Sequence, residues 1–166
     1  MKIAAIDPGL KGAIVLLPDE FYIPPLVGNK IDLTAYAELF EKLRGYHVAL
    51  EEVHAIPGTS AASNFTFGGM FFAARALLHA KGIRHTMVPP KQWQAEIWTS
   101  TDKVYKPGKK KKTLDTKATS LLAFKRLFPE IKPLYAHNEE NLGRRSVFHD
   151  GIVDAFLIAE YLKRRG

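Results

Sequence analysis

The 166-residue sequence contains no cysteine, so disulfides, zinc ribbons and catalysis by a thiolate are excluded. Long apolar runs are also missing, because no stretch approaches the ~20 residues that a membrane-spanning helix needs. No secretory leader is expected, since Met1-Lys2 leads into a short strand-like run that Asp7 interrupts. The length suits one domain over residues 1–166 with a single hydrophobic core.

The chain has an excess of positive charge, and that excess lies in its second half. The net charge is +7; residues 1–99 hold 9 Lys/Arg and 9 Asp/Glu, whereas residues 100–166 hold 15 Lys/Arg and 8 Asp/Glu. Such a charge distribution fits a polyanionic partner, of which the nucleic acid backbone is the commonest. The alternative is an ordinary basic surface without a specific partner.

The apolar pattern predicts an α/β protein. Strands are expected at residues 2–6, 13–17 and 21–23, which form an antiparallel meander, and at 46–53 and 83–88, which follow helical segments. Helices are expected at 32–43, 63–80, 90–98 and 113–128, and from about residue 146 to the C-terminus. Residues 24–30 are expected to be a linker, and residues 99–112 and 129–145 to be loops. Strand–helix–strand connections indicate parallel pairing within one layered structure.

Four carboxylates lie in or beside these apolar elements. Asp7 follows the first strand, Glu51 lies in the run after Gly45, and Asp150 and Asp154 are four residues apart in the last helix. A buried acid must be neutralised, paired or bound to metal, since burying a bare charge costs several kcal/mol. Residues at i and i+4 share one helix face, and their repulsion is relieved when a cation lies between them. Hydrolysis of a phosphodiester by two Mg²⁺ ions ~3.5–4 Å apart needs such oxygen ligands.

Each acid also has a simpler interpretation. Asp7 before Pro-Gly could form an Asx-turn, and Glu52 rather than Glu51 could point inward. Asp150 could be an anion at a helix N-terminus, whereas Asp154, set among apolar residues, is the hardest to explain as a surface residue. His149 could be a ligand, a proton carrier or a loop histidine.

Three segments resemble a known family. Residues 6–9 (Ile-Asp-Pro-Gly), 50–53 (Leu-Glu-Glu-Val) and 150–155 (Asp-Gly-Ile-Val-Asp-Ala) resemble motifs of the RuvC-type Holliday junction resolvases. Residues 88–93 (Val-Pro-Pro-Lys-Gln-Trp) and 127–129 (Leu-Phe-Pro) resemble segments of phage-encoded members. The resemblance covers nearly the whole chain in order and spacing.

The resemblance implies an RNase H-like fold, with a mixed five-stranded sheet of three antiparallel plus two parallel strands, flanked by helices. It also implies a homodimer that resolves four-way DNA junctions by paired symmetric nicks, with no membrane association. Two Mg²⁺ ions per active site, replaceable by Mn²⁺, would support hydrolysis to 5′-phosphate and 3′-hydroxyl ends. The expected location is the cytoplasm of a bacterial or phage-infected cell.

Asp7, Glu51 and Asp154 match the family's acids by position. Many bacterial members place Asp or His three residues before the last acid, but this chain has Gly151 there. Its acid lies four residues before, as in mitochondrial-type resolvases, so Asp150 is the expected fourth ligand, with His149 as the alternative. The family also uses a lysine near the scissile phosphate. Lys117 is the better positional match and Lys91 the weaker, and each could instead be a solvated helix lysine.

Further residues are expected to contact DNA. The basic candidates are Lys91, Lys103, Lys109, Lys110, Lys111, Lys112, Arg144 and Arg145. The lysine run is too flexible to position a reacting group, but it would give salt-dependent affinity through counterion release. Phe65 or Phe67 could stack on unpaired bases or simply pack, and Phe71 and Phe72 are expected in the core or a dimer interface.

Two rival functions are open at this point. One is another RNase H-like nuclease acting on RNA or on flap or other branched DNA. The other is a non-catalytic basic protein that binds DNA junctions. Asp7-x-Gly9-x-x-Gly12 also resembles the phosphate loop of actin-like ATPases, but those enzymes need two such domains, and 166 residues are too few.

Overall fold

The computed structural model describes residues 1–55, 57–108, 112–132 and 149–166. Its strands are β1 (Lys2–Asp7), β2 (Ala13–Leu16), β3 (Glu20–Tyr22), β4 (Leu26–Val27), β5 (Lys30–Ile31), β6 (Tyr46–Glu51) and β7 (His85–Val88). Five of them form one sheet in the order β3-β2-β1-β6-β7. The β1–β2 and β2–β3 pairs are antiparallel, whereas β1–β6 and β6–β7 are parallel. The predicted mixed sheet of three antiparallel plus two parallel strands is therefore confirmed.

The helices are α1 (Leu33–Leu39), α2 (Ala61–Ala80), α3 (Pro90–Ile97), α4 (Thr116–Leu127) and α5 (Asp150–Arg165). Side chains cap most of them: the Asp32 carboxylate accepts a hydrogen bond from the Ala35 N–H, and Asp115 accepts one from Ala118. Proline at position 90 begins α3, where its fixed φ suits the first helical turn. Short 3-10 segments, Phe40–Leu43 and Ser100–Asp102, follow α1 and α3.

The sheet separates two apolar clusters, and the central strand β1 contributes to both, because successive side chains in a strand point to opposite faces of the sheet. Ile3 and Ala5 belong to the cluster that contains the buried residues of α5, α3 and α4. Ala4 and Ile6 belong to the other cluster, with residues of α1 and α2. Helix α5 is buried over most of its length up to Leu162, which explains why its sequence is apolar almost all round.

The structure differs from the sequence-based expectations in a few places. Residues 24–30, expected to be a linker, contain β4 and the start of β5, which form a small separate hairpin. The helix predicted from residue 113 begins at Thr116, because Asp115 rather than Thr113 provides the cap. The expected start of the last helix near Ser146 lies outside the described residues. Among the described helices, none is long and apolar enough to cross a membrane.

Candidate active site

Two of the predicted acids end neighbouring parallel strands. Asp7 is the last residue of β1 and Glu51 the last residue of β6, and the register of these strands pairs Ile6 with Leu50. Both carboxylates therefore emerge at the same edge of the sheet. Functional groups of α/β proteins commonly gather at the carboxyl ends of such strands.

Helix α5 brings Asp150 and Asp154 to the same edge, and a close backbone contact fixes its first turn there. A Cβ atom added to Gly151 would lie 2.2 Å from the Lys11 carbonyl oxygen and 2.7 Å from the Gly12 Cα. Gly12 is itself packed against the β1 end, since a Cβ there would lie 1.9 Å from the Asp7 carbonyl oxygen. The turn after Asp7 and the start of α5 thus touch without side chains between them.

The carboxyl groups of Asp7 and Glu51 form a half-buried pair at the ends of their strands. Burial raises the pKa of Asp7 well above its usual range, and the charges of Glu51 and Asp154 raise it further. Burial likewise raises the pKa of Glu51 to about 7. A hydrogen bond joins the two carboxyls, so the pair shares a proton. Without a cation, this pair holds less negative charge at neutral pH than two free acids would.

Asp154 is the third member of this acidic cluster. Burial raises its pKa to about 6, and a hydrogen bond from Ser120 on α4 opposes that shift. The Asp154 Oδ1 atom is buried and has no hydrogen-bond partner among the described residues. An unsatisfied buried carboxylate oxygen is costly, and it is the type of atom that a hard cation binds.

Asp150 lies at the exposed side of the cluster. It is the first residue of α5, its side chain is 49% exposed, and it forms an ion pair with Lys117 Nζ at 2.5 Å. Asp150 nevertheless contributes to the raised pKa values of Asp7 and Asp154, so it is close to both. Lys117 and Ser120 are three residues apart on α4, and the two face Asp150 and Asp154 respectively. Helix α4 therefore contributes a cation and a hydroxyl to the site.

The sequence left two choices open: Glu51 or Glu52 as the acid at the end of β6, and Asp150 or His149 as the ligand at the start of α5. The residues of each pair have different surroundings. Glu51 Oε1 accepts a hydrogen bond from the Trp93 indole at 2.8 Å, within the acidic cluster, whereas Glu52 lies 4.0 Å from His54. His149 is buried, and its Nδ1 accepts a hydrogen bond from the Ile152 N–H at 3.2 Å, which caps α5. Burial lowers the pKa of His149. These contacts favour Glu51 and Asp150 over Glu52 and His149 as site residues.

The donor set suits a divalent ion of the Mg²⁺ type, because it consists of carboxylates converging from β1, β6 and α5. The observation that favours such an ion is the buried Asp154 Oδ1 atom, which has no hydrogen-bond partner in the part of the chain that the structure describes. As the side chains stand, no group of three His, Asp or Glu residues in the described chain could hold a metal ion. Two contacts engage carboxylates of this set, the Asp7–Glu51 hydrogen bond and the Lys117–Asp150 ion pair.

The described basic candidates are exposed. Lys91 lies on the first turn of α3, Lys103 follows the second 3-10 segment, and Lys112 Nζ lies 5.6 Å from the centre of the Tyr105 ring. The predicted contacts Lys109, Lys110, Lys111, Arg144 and Arg145 lie outside the described residues. All of these residues stay predictions for DNA binding.

The aromatic residues of α2 divide by exposure. Phe65 is 84% exposed, whereas Phe67 packs against the turn that follows Asp7, where a Cβ added to Gly9 would lie 3.6 Å from its ring. Phe71 is buried and Phe72 is 63% exposed. Phe65 is therefore free to stack on a base, while Phe67 supports the turn that carries Asp7.

Sequence reasoning missed three contributors to this site. Ser120 and Trp93 each donate a hydrogen bond to an acid, and Gly12 allows the close approach of α5. Ser120 could have been found from its i,i+3 spacing to Lys117, since these positions share one helix face. The Trp93 contact crosses from α3 to β6, and no local pattern encodes it.

The fold matches solved structures of RuvC from Thermus thermophilus. The structure titled "T. thermophilus RuvC in complex with Holliday junction substrate" has a TM-score of 0.57 and 14% identity, with 100% of this chain and 97% of that chain covered. The "Thermus thermophilus RuvC structure" gives a TM-score of 0.55 and 17% identity over the same shares. No protein-family model and no curated protein sequence matches the chain. The mixed sheet and its flanking helices therefore have the RuvC-type, RNase H-like fold.

Proposed function

We propose that this protein is a divalent-metal-dependent endonuclease that resolves four-way DNA junctions. The observation that carries the proposal is the cluster of Asp7, Glu51 and Asp154, which come from three separate elements and whose pKa values are each raised, chiefly by burial. Buried acids that repel one another destabilise a fold, so a cation is the simplest reason to bring them together. The RuvC-type fold and the basic second half of the chain support DNA as the substrate.

In the proposed reaction, Asp7, Glu51, Asp150 and Asp154 would hold two Mg²⁺ or Mn²⁺ ions. When bound, such ions activate a water molecule and stabilise charge on the phosphate and the leaving oxygen. Asp7 interacts with Glu51, Asp150 and Asp154 and would be one of the ligands. Lys117 is exposed beside Asp150, where its ammonium can neutralise charge on the scissile phosphate. The products would be 5′-phosphate and 3′-hydroxyl ends.

The proposal includes a homodimer, because paired nicks in two strands of a junction need two active sites. Helix α2 offers an apolar surface for self-association, since Phe72 is exposed and added Cβ atoms at Gly68 and Gly69 would meet nothing within 4 Å. Sedimentation velocity would test the dimer. A Phe72→Glu variant that sediments as a monomer beside a dimeric wild type would support this surface. The proposed location is the cytoplasm.

Strand-resolved cleavage of a synthetic four-way junction with Mg²⁺ tests the proposed function. Symmetric nicks in two like strands are expected, and no nicking with Mg²⁺ or Mn²⁺ would overturn the proposal. A flap, a duplex and an RNA–DNA hybrid belong in the same panel, since preferred cleavage of one of these would point to a different RNase H-like nuclease. A junction binder that never cleaves would be the non-catalytic alternative.

Paired variants connect that activity to the site. Glu51→Gln is expected to remove cleavage and retain junction binding, because the folded chain keeps its basic surface. Glu52→Gln is the matched control, as the neighbouring acid lies beside His54 and contributes to none of the pKa shifts of Asp7, Glu51 and Asp154. Equal loss of cleavage in both variants would argue against Glu51 as a ligand.

A further inference from the structure

A buried tryptophan contacts one of the acids directly. The Trp93 side chain is 1% exposed, and its indole N–H donates to Glu51 Oε1 at 2.8 Å. The contact follows from the topology. Strand β7 pairs with β6 so that Val88 lies beside Glu51, and α3 begins two residues after Val88. The first turns of α3 therefore bring the indole to the carboxyl end of β6.

Packing holds this indole in place. Trp93 belongs to the apolar cluster that contains the core of α5, and its ring lies 5.7 Å from that of Trp98 in an edge-to-face arrangement. A hydrogen bond also connects α3 to α5, because the Tyr161 hydroxyl donates to Gln92 Oε1 at 3.3 Å. Trp93 is thus fixed relative to α5, the helix that carries Asp154.

The chemistry of an indole suits one task at this position. It has a single N–H donor and no acceptor, so it can hold a carboxylate oxygen but cannot take a proton from it or replace it as a ligand. A hydrogen bond to a charged acceptor is also stronger than one between neutral groups. The indole contacts Oε1 of Glu51 at 2.8 Å.

We infer that Trp93 is a positioning residue for the proposed metal centre, which orients the Glu51 carboxylate through the hydrogen bond from its indole N–H. This inference rests on the proposed function, because it assigns Trp93 a role only if Glu51 binds a divalent ion. Residues that orient metal ligands in this way typically contribute about 10–100-fold to metal affinity or activity.

The chain offers a matched control in its other tryptophan. Trp98 is half-buried beside Trp93, and its Nε1 atom has no hydrogen-bond partner among the described residues. Trp93→Phe and Trp98→Phe remove the same atoms from adjacent places in the structure. Only the first removes a hydrogen bond to an acid.

Metal titration of the full-length variants tests the inference. Calorimetry with Mn²⁺ is expected to show the dissociation constant of Trp93→Phe raised about 10–100-fold, with that of Trp98→Phe close to wild type. Each variant retains a single tryptophan, so fluorescence adds a second measurement. Emission of Trp93 in the Trp98→Phe variant should respond to Mn²⁺, and emission of Trp98 in the other should respond little.

Junction cleavage separates positioning from a general structural role. In Trp93→Phe, the Mg²⁺ concentration for half-maximal cleavage should rise, and saturating Mg²⁺ should restore most of the rate. If Trp93→Phe binds metal as tightly as Trp98→Phe, the inference is overturned and the proposed function stands. If the wild type binds no divalent ion and cuts no junction, the proposed function itself fails.

A second variant covers the case in which Trp93→Phe does not fold. Benzothienylalanine at position 93 replaces the indole N–H with sulfur and keeps the shape of the ring. Weakened metal binding in this folded protein would support the inference, and wild-type metal affinity would overturn it.

Discussion

Gly151 at the start of α5 lies directly against Gly12 in the turn that follows Asp7. A Cβ atom on Gly151 would come within 2.7 Å of the Gly12 Cα and 2.8 Å of its carbonyl carbon. Both neighbours are backbone atoms, which cannot swing aside as the end of a side chain can. This contact brings the helix acids beside Asp7, and it explains why the position three residues before Asp154 carries no side chain.

Gly151→Asp should therefore destabilise the fold. It should not provide a metal ligand, although many bacterial RuvC-type resolvases have Asp or His at this position. We expect a loss of roughly 3 kcal/mol or more in the free energy of unfolding, as for overpacking beside a buried backbone. Adding Gly151→Asp to an Asp150→Ala variant should not recover the cleavage that Asp150→Ala loses. Chemical denaturation and the junction assay measure the two effects.

Gly69→Ala is the control for this prediction. Gly69 lies within α2, and an added Cβ would meet nothing within 4 Å. Alanine in a helix interior is favoured over glycine by up to about 1 kcal/mol, so this variant should be unchanged or more stable. A Gly151→Asp protein as stable as Gly69→Ala would show that the start of α5 can move away from the turn.

Stability without metal should fall as the pH rises toward neutrality. The pKa of Asp154 is raised from 3.8 to about 6, and that of Glu51 from 4.5 to about 7. The folded chain therefore binds more protons than the unfolded chain between these values, and the free energy of unfolding decreases as the pH rises through them. Mg²⁺ should reverse this decrease, because the ion takes the place of the protons.

Calorimetric melting in EDTA and in Mg²⁺ from pH 5 to pH 8 checks this prediction. Without metal at pH 8, the free energy of unfolding of Asp154→Asn should exceed that of the wild type by on the order of 2 kcal/mol. At pH 5 the difference should be smaller. Asp102 does not interfere, since its ion pair with Arg126 lowers its pKa to about 2, below this range. Melting temperatures in EDTA that rise steadily toward pH 8 would contradict the prediction.

The acids on the strands were easier to predict than the contacts around them. Asp7 and Glu51 follow buried β-strands, and the parallel pairing of those strands could be inferred from the helical crossover between them. The hydrogen bonds from Ser120 and Trp93 depend on how α4 and α3 pack, which no local periodicity specifies. The β4–β5 hairpin was missed because two-residue strands leave almost no alternating pattern.

Asp150 should matter less for cleavage than Asp154. Its side chain is 49% exposed, so water can replace one of its oxygens on an ion, whereas the buried Asp154 Oδ1 has no substitute. Asp150→Asn is expected to raise the Mg²⁺ requirement and retain measurable nicking, while Asp154→Asn reduces nicking to background. Mg²⁺ titrations of strand-resolved cleavage compare the two. Undiminished cleavage in Asp154→Asn would remove that residue from the site.

Lys117→Met should reduce cleavage without changing the stability of the fold. An exposed ion pair contributes about 0–1 kcal/mol, so the loss of the Lys117–Asp150 pair should hardly change the melting temperature. Cleavage should nevertheless fall at every Mg²⁺ concentration, because the scissile phosphate loses a cation. Lys125→Met on the same helix is the control for a general loss of charge. An equal decrease in cleavage by both variants would show that Lys117 contributes only as part of the basic surface.

Phe65 should contribute to junction binding through its ring. The side chain is 84% exposed at the start of α2, one turn before Gly69 and close in sequence to Phe67, which packs at the Asp7 turn. Stacking of an aromatic ring on an unpaired base contributes about 1–3 kcal/mol, whereas a fully paired duplex offers no such base. Phe65→Leu should therefore weaken binding to a four-way junction and leave duplex binding unchanged, while Phe65→Trp retains both. Fluorescence anisotropy with the two DNAs measures the difference, and equal weakening on both would show that Phe65 does not act by stacking.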